Sequence, residues 1–83
     1  MFLYVIWDLD DDPRGNVQHT AEHGITKVEV LEVLAQPEAQ ETSRSSGRPL
    51  AIGATSTGRT ILVVYDQIDE DTVYPVTAYD LED

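Results

Sequence analysis

The chain has 83 residues, with 16 acidic and 5 basic side chains that give a net charge of −11, and it contains no cysteine. This length predicts a single domain over residues 1–83 with one compact core. The lack of cysteine excludes disulfides and zinc–thiolate sites, and the negative charge disfavours general binding to nucleic acids or anionic membranes.

The first segment, residues 2–7, is aromatic and β-branched, and an acidic loop with Pro13 and Gly15 follows it. This composition predicts a strand that ends in a turn. The segment has no basic residues before it and is too short to span a bilayer, so it does not resemble an export signal or a membrane anchor. We therefore expect a cytoplasmic protein.

A short first helix is predicted after this loop. Asn16 is expected to cap a helix that runs to about Glu22. His23 then lies in the last turn, where its ring can interact with the free carbonyls of the helix end, and Gly24 can take the left-handed conformation that ends many helices.

A second helix is predicted from a capping box, in which Thr26 and Glu29 satisfy each other's exposed amides. It is expected to run to about Gln36, where Pro37 stops it. Its apolar stripe consists of Val30, Leu31, Val33 and Leu34.

Residues 38–47 are polar and rich in turn formers, which predicts an exposed, mobile loop. Three apolar runs follow, "RPLAIGATS", "RTILVVYDQI" and "TVYPVTAYD", and Thr57 and Gly58 form the turn between the first two. These runs predict an antiparallel meander whose central strand is "ILVV". Pro75 cannot donate a backbone hydrogen bond, so the last strand is expected to lie at an edge or to carry a bulge.

The predicted order is β-α-α-β-β-β, an α+β fold with two N-terminal helices packed on a small antiparallel sheet. We expect Leu31, Val33 or Leu34 of the second helix to pack on Leu62 or Val64 of the central strand, because these are the densest apolar stretches.

Two kinds of chemistry are open to the polar residues. His19 and His23 lie four positions apart on one helix face and could hold a metal ion if Asp8 or Asp10 supplied a third ligand. Metal-independent RNA cleavage is the second kind, because it needs a base, an acid and a cation for the phosphorane charge. Suitable groups are present in the chain. The base and the acid could be one of the two histidines and one of Tyr65, Tyr74 or Tyr79, and the cations could be Arg48 and Arg59.

The order of several motifs resembles one known family. The chain has "WD" at residues 7 and 8, then Asn16, His19 and "EHGI" at residues 22–25, then "EVLEVL", and finally "GRPLAIGATSTGRTILVVY". In this order and spacing, over residues 7–78, the chain resembles the BrnT toxins of type II toxin–antitoxin systems.

The resemblance implies a RelE-like fold and an endoribonuclease that inhibits translation without a metal or other cofactor. It implies His23, Arg48, Arg59 and Tyr65 as the catalytic residues, and a DNA-binding antitoxin as the partner. It implies no direct DNA binding by the chain itself.

Two departures from the family pattern support an alternative. Glu22 stands where the family has a basic residue, and "TAYDLE" at residues 77–82 stands where it has an arginine-rich segment. Both changes remove positive charge that RNA binding needs, so RNA is a possible but disfavoured ligand. The alternative is a non-catalytic acidic module of the same fold that holds a basic protein partner.

Overall fold

A computed structural model of the chain describes residues 4–81. Within them it has seven helices and strands. They are β1 (Tyr4–Val5), α1 (Asn16–Glu22), α2 (Lys27–Ala35), β2 (Ala39–Thr42), β3 (Pro49–Ala54), β4 (Thr60–Gln67) and β5 (Thr72–Asp80). The start of the predicted first strand, at residues 2 and 3, and the last two residues of the acidic tail, 82 and 83, lie outside the described residues.

The strands form one mixed sheet in the order β1-β5-β4-β3-β2. The pairs β3–β4 and β4–β5 are antiparallel, which confirms the predicted meander of the three apolar runs, and the pair β2–β3 is antiparallel as well. β1 pairs with β5 in parallel through Tyr4 with Thr72 and Val5 with Val73. The protein is therefore an α+β fold with two helices and a five-stranded sheet.

The predicted order β-α-α-β-β-β on an antiparallel sheet was wrong, because the observed order is β-α-α-β-β-β-β on a mixed sheet. The additional strand is β2, within the segment predicted to be a loop. All four of its side chains are exposed, so no apolar alternation marked it as a strand. It forms because a turn brings it back along β3, closed by a hydrogen bond from Ser43 N to Arg48 O of 2.7 Å.

α1 begins differently from the prediction. Gly15, not Asn16, occupies the N-cap position, and it has no side chain with which to cap the helix. A Cβ at Gly15 would lie 2.7 Å from the Cβ of Asp8, so only glycine fits this close approach. The C-terminal prediction is confirmed, since His23 is the C-cap and Gly24 has a φ of 74°.

The capping box of α2 is confirmed in both directions between Thr26 and Glu29. Val30, Val33 and Leu34 are fully buried, whereas Leu31 is 41% exposed. α2 packs on β3 at Gly53, where a Cβ would lie 3.4 Å from Cγ1 of Val33.

The core lies between the helices and one face of the sheet. It contains Ile25, Val30, Val33, Leu34, Ala51, Ile61, Val63, Tyr65, Val73 and Ala78. The residues of β4 on the helix side are thus Ile61, Val63 and Tyr65. The predicted packing on Leu62 or Val64 was wrong, because successive strand residues point to opposite faces.

β5 carries a bulge, one of the two outcomes expected from the presence of Pro75. Val64 pairs with Thr77 and Tyr65 with Pro75, so Val76 is the additional residue. No helix within residues 4–81 is long and apolar enough to cross a membrane.

Candidate functional site

One face of the sheet carries apolar side chains that neither helix of the described residues covers. Leu50 of β3 pairs with Val64 of β4, and Ile52 with Leu62, and paired residues point to the same side of a sheet. Ile52, Leu62 and Val64 remain half-buried. We call this side, opposite the two helices, the open face.

A cavity of about 370 Å³ lies on the open face. Its apolar lining is formed by Leu50, Leu62, Val64 and Val76. Its polar lining comes from the β2–β3 loop, through Ser43, Ser45, Ser46 and Arg48, and from Thr77 and Tyr79 of β5. This combination of an apolar surface with a few polar groups is typical of ligand sites.

Arg48 is held at the start of β3 by its neighbours. Its Nε donates to Oδ1 of Asp66 at 2.9 Å, and both side chains are 44% exposed. Its backbone N–H donates to Oγ of Ser46 at 3.3 Å. Arg48 therefore lines the cavity while its guanidinium stays accessible to solvent.

Arg59 has a different environment, because its guanidinium joins three parts of the fold. Nε donates to Oδ2 of Asp80 at 2.8 Å, and Nη1 donates to the carbonyl of Gly24 at 2.8 Å and to Oε1 of Glu29 at 3.2 Å. The hydrogen bond to Asp80 raises the pKa of Arg59 further above its usual value. This arginine connects the end of α1, the start of α2 and the end of β5.

The Glu29 carboxylate is the buried member of this network, with a side chain 4% exposed. Burial acts to raise its pKa, but hydrogen bonds from Thr57 and Thr26 and the charge of Arg59 outweigh that effect and lower it. The Thr57 hydroxyl donates to Oε2 at 2.8 Å. Glu29 is therefore an ionised structural group.

The register of β3 and β4 separates the two arginines. Thr55 N donates to the carbonyl of Arg59, whereas Arg48 lies at the other end of β3. Seven residues of strand correspond to about 23 Å. Their guanidinium groups therefore lie at opposite ends of the β3–β4 hairpin.

His23 lies at the Arg59 end, because the neighbouring Gly24 carbonyl accepts the Arg59 bond. It is exposed, and its ring centroid lies 4.6 Å from that of Tyr79, a residue that lines the cavity. The structure thus brings His23 together with Arg59 and Tyr79, and it places Arg48 at the other end of the hairpin.

Tyr65 is 3% exposed and belongs to the core on the helix side of the sheet. Burial raises the pKa of its hydroxyl. It does not line the cavity. The catalytic roles of His23, Arg48, Arg59 and Tyr65 stay predictions, and the four side chains do not surround one common space.

The two-histidine metal site has no third ligand, since no group of three His, Asp or Glu side chains within residues 4–81 is placed to hold a metal ion. His19 is exposed on α1.

Tyr74, the third tyrosine among the candidates, has a structural role. Its hydroxyl donates to Oδ2 of Asp8, which also accepts from the backbone N–H of Asn16 at 2.9 Å. The bond to Asp8 raises the pKa of Tyr74 to about 12. These hydrogen bonds, from Tyr74 first and then from Asn16, lower the pKa of Asp8.

Sequence reasoning missed Asp66, the partner of Arg48, and the apolar lining of the cavity. The alternation of half-buried Leu62, Val64 and Asp66 with buried Ile61, Val63 and Tyr65 along β4 is a feature of the structure, and in the sequence only the polar Asp66 marks it. A period of two within an apolar run indicates two different faces.

No family model, curated protein or solved structure matches the chain.

Proposed function

We propose that this chain is a non-catalytic binding module that holds a basic protein segment on the open face of its sheet. The observation that carries the proposal is the row of half-buried apolar side chains around the cavity, beside which no other element of residues 4–81 packs. Apolar surface of this kind, rimmed by polar groups, is typical of interaction sites.

Charge supports a basic partner. The chain has a net charge of −11, and Asp8, Asp12 and Asp66 all lie close enough to Tyr74 to raise the pKa of its hydroxyl. Exposed acids at residues 69–71 adjoin the same end of the sheet, where the Asp71 carbonyl accepts from Tyr4 N. A partner with lysine or arginine beside its apolar residues gains both contacts.

The arrangement of the cationic groups favours binding over RNA cleavage. Arg59 is engaged with Glu29, Asp80 and Gly24, so binding a phosphate requires breaking contacts that hold α1, α2 and β5 together. Arg48 lies about 23 Å away along the strand direction. The resemblance to BrnT toxins remains a hypothesis, under which the basic partner is a DNA-binding antitoxin.

The proposal can be tested with two synthetic peptides of ten residues, one alternating lysine with valine and the other glutamate with valine. We expect calorimetry at 50 mM NaCl to detect binding of the lysine peptide only, and to find weaker binding at 300 mM NaCl because salt screens the charges. Equal binding of both peptides, or of neither, contradicts the proposal.

Substitutions locate the surface. Leu62→Glu places a charge on the open face and is expected to abolish binding. Val28→Glu is the matched control, because Val28 is 64% exposed on α2 and lies away from the cavity. The competing function predicts that the chain cleaves single-stranded RNA in EDTA and that Arg48→Gln stops the cleavage, and that result would favour the ribonuclease.

A further inference from the structure

Arg48 has donor groups that its contacts within the fold leave available. Its only side-chain hydrogen bond to another described residue uses Nε, on Asp66. Nη1 and Nη2 form the other half of the guanidinium, a planar pair of donors that matches the two oxygens of a carboxylate. Since Arg48 lines the cavity, a carboxylate next to its apolar surface could accept both bonds.

Ser46 offers a further donor at the same place. Its Oγ accepts the backbone N–H of Arg48, and an accepting hydroxyl still has its own proton to donate. Ser46 also lines the cavity. A guanidinium and a hydroxyl from one tight loop thus adjoin the apolar side chains of Leu50 and Val64.

The charge around Arg48 favours a ligand with a single negative charge. Asp66 is bonded to the same guanidinium, and a phosphate with nearly two charges would be repelled more strongly by Asp66 than a carboxylate would. The ligand therefore combines one carboxylate with one apolar group.

In an extended peptide, this combination occurs on one residue only at the C-terminus. The residues adjacent to an internal aspartate or glutamate point to the other side, and the nearest residues on its own side lie two positions, about 7 Å, away along the chain. A C-terminal leucine or valine, by contrast, carries an α-carboxylate and an apolar side chain on the same residue.

We infer that the cavity holds the C-terminal residue of the basic partner segment, with its apolar side chain on Leu50, Leu62 and Val64 and its α-carboxylate on Arg48 and Ser46. This inference rests on the proposed function, because the upstream lysine or arginine residues of that segment meet the acidic end of the sheet. Beyond the proposed function, the inference requires that the C-terminus of the partner's chain lies in the cavity.

The test compares two forms of the peptide acetyl-Lys-Val-Lys-Val-Leu, one with a free carboxyl terminus and one amidated. Calorimetry is expected to show about tenfold tighter binding of the free acid, the effect of one charged, forked hydrogen-bond pair. Arg48→Gln should reduce the affinity for the free acid to that for the amide. Arg44→Gln is the matched control, because Arg44 is exposed in the same loop and does not line the cavity.

Each outcome separates the inference from the function on which it rests. Equal affinity of the two forms overturns the inference and leaves the proposed function standing. If the free acid binds tightly and a peptide with glutamate in place of both lysines binds equally well, the carboxylate site stands and the proposal of a basic partner is wrong. Absence of binding by both forms overturns both ideas. An unchanged melting temperature of Arg48→Gln ensures that lost affinity reflects the site.

Discussion

Arg59 and Glu29 form an ion pair of 3.2 Å that joins the β3–β4 turn to the first turn of α2. The carboxylate is buried, and the same guanidinium donates to Gly24 and Asp80. Arg59, which the resemblance to BrnT toxins implied as a catalytic residue, thus holds several elements of the fold together.

Arg59→Gln is therefore expected to lower the melting temperature by several degrees, because Glu29 loses its cation in a buried position. Thermal unfolding followed by circular dichroism measures the change. Arg44→Gln is the control, since Arg44 is exposed, and it should leave the transition almost unchanged. If Arg59→Gln melts like the parent, the network does not hold the fold together.

Two leucines of α2, Leu34 and Leu31, are expected to differ in how much they contribute to the free energy of unfolding. Leu34→Ala should cost about 2–5 kcal/mol of unfolding free energy, because Leu34 is fully buried and its removal leaves a cavity. Leu31→Ala should cost about 0.5 kcal/mol or less, because Leu31 is 41% exposed. Urea unfolding of both variants gives the two values, and similar losses would contradict the observed orientation of α2.

Asn16 provides a third stability prediction. Its side chain donates to the Ile6 carbonyl at 2.8 Å and accepts from Asp8 N at 2.9 Å, and it is 1% exposed. Asn16→Ala leaves both backbone groups without these partners and should cost about 1–3 kcal/mol. Gln18→Ala is the control, because the bond from Gln18 to the Asp10 carbonyl is exposed. Equal urea midpoints for the two variants would show that the two hydrogen bonds of the Asn16 side chain add no stability.

Alkaline pH should weaken the fold through Tyr74. Its folded pKa is about 12, above the usual value of about 10. The stability that this shift provides is fully present below about pH 10 and is lost as the pH rises through the folded pKa. The urea midpoint measured between pH 9 and 12 should fall, and Tyr74→Phe should reduce the slope.

Tyr4→Phe is the control for this series, because Tyr4 is 63% exposed and should keep the parent slope. An acid effect follows from the partner of Tyr74. The pKa of Asp8 is lowered, so its contribution is present above its unfolded value and is lost as the pH falls through the folded one. A parent protein whose stability is constant over both ranges would contradict the bond between the two side chains.

The sequence was informative where the signal is local. The capping box of Thr26 and Glu29, the left-handed Gly24 and the bulge beside Pro75 each depend on a few neighbouring residues, and all three were predicted correctly. The fold class α+β followed from these elements.

Features that depend on distant partners were not predictable in this way. β2 exists only because β3 offers it a partner, and its exposed side chains carry no pattern. The face to which Leu62 and Val64 point depends on where the helices pack, since both faces of β4 are apolar. The engagement of Arg59 depends on contacts with Gly24, Glu29 and Asp80, which only the folded chain brings together.

Because β1 pairs in parallel with β5, the sheet can be completed only after β5 has been synthesised. β1, α1 and the Arg59 guanidinium all contact β5, the last strand along the chain. Until Thr72–Asp80 has been synthesised, Ile61 and Val63 of β4 lack their pairing partners in β5, and β4 is an unpaired edge strand. A chain truncated before β5 would therefore expose apolar surface of the core that chaperones can recognise.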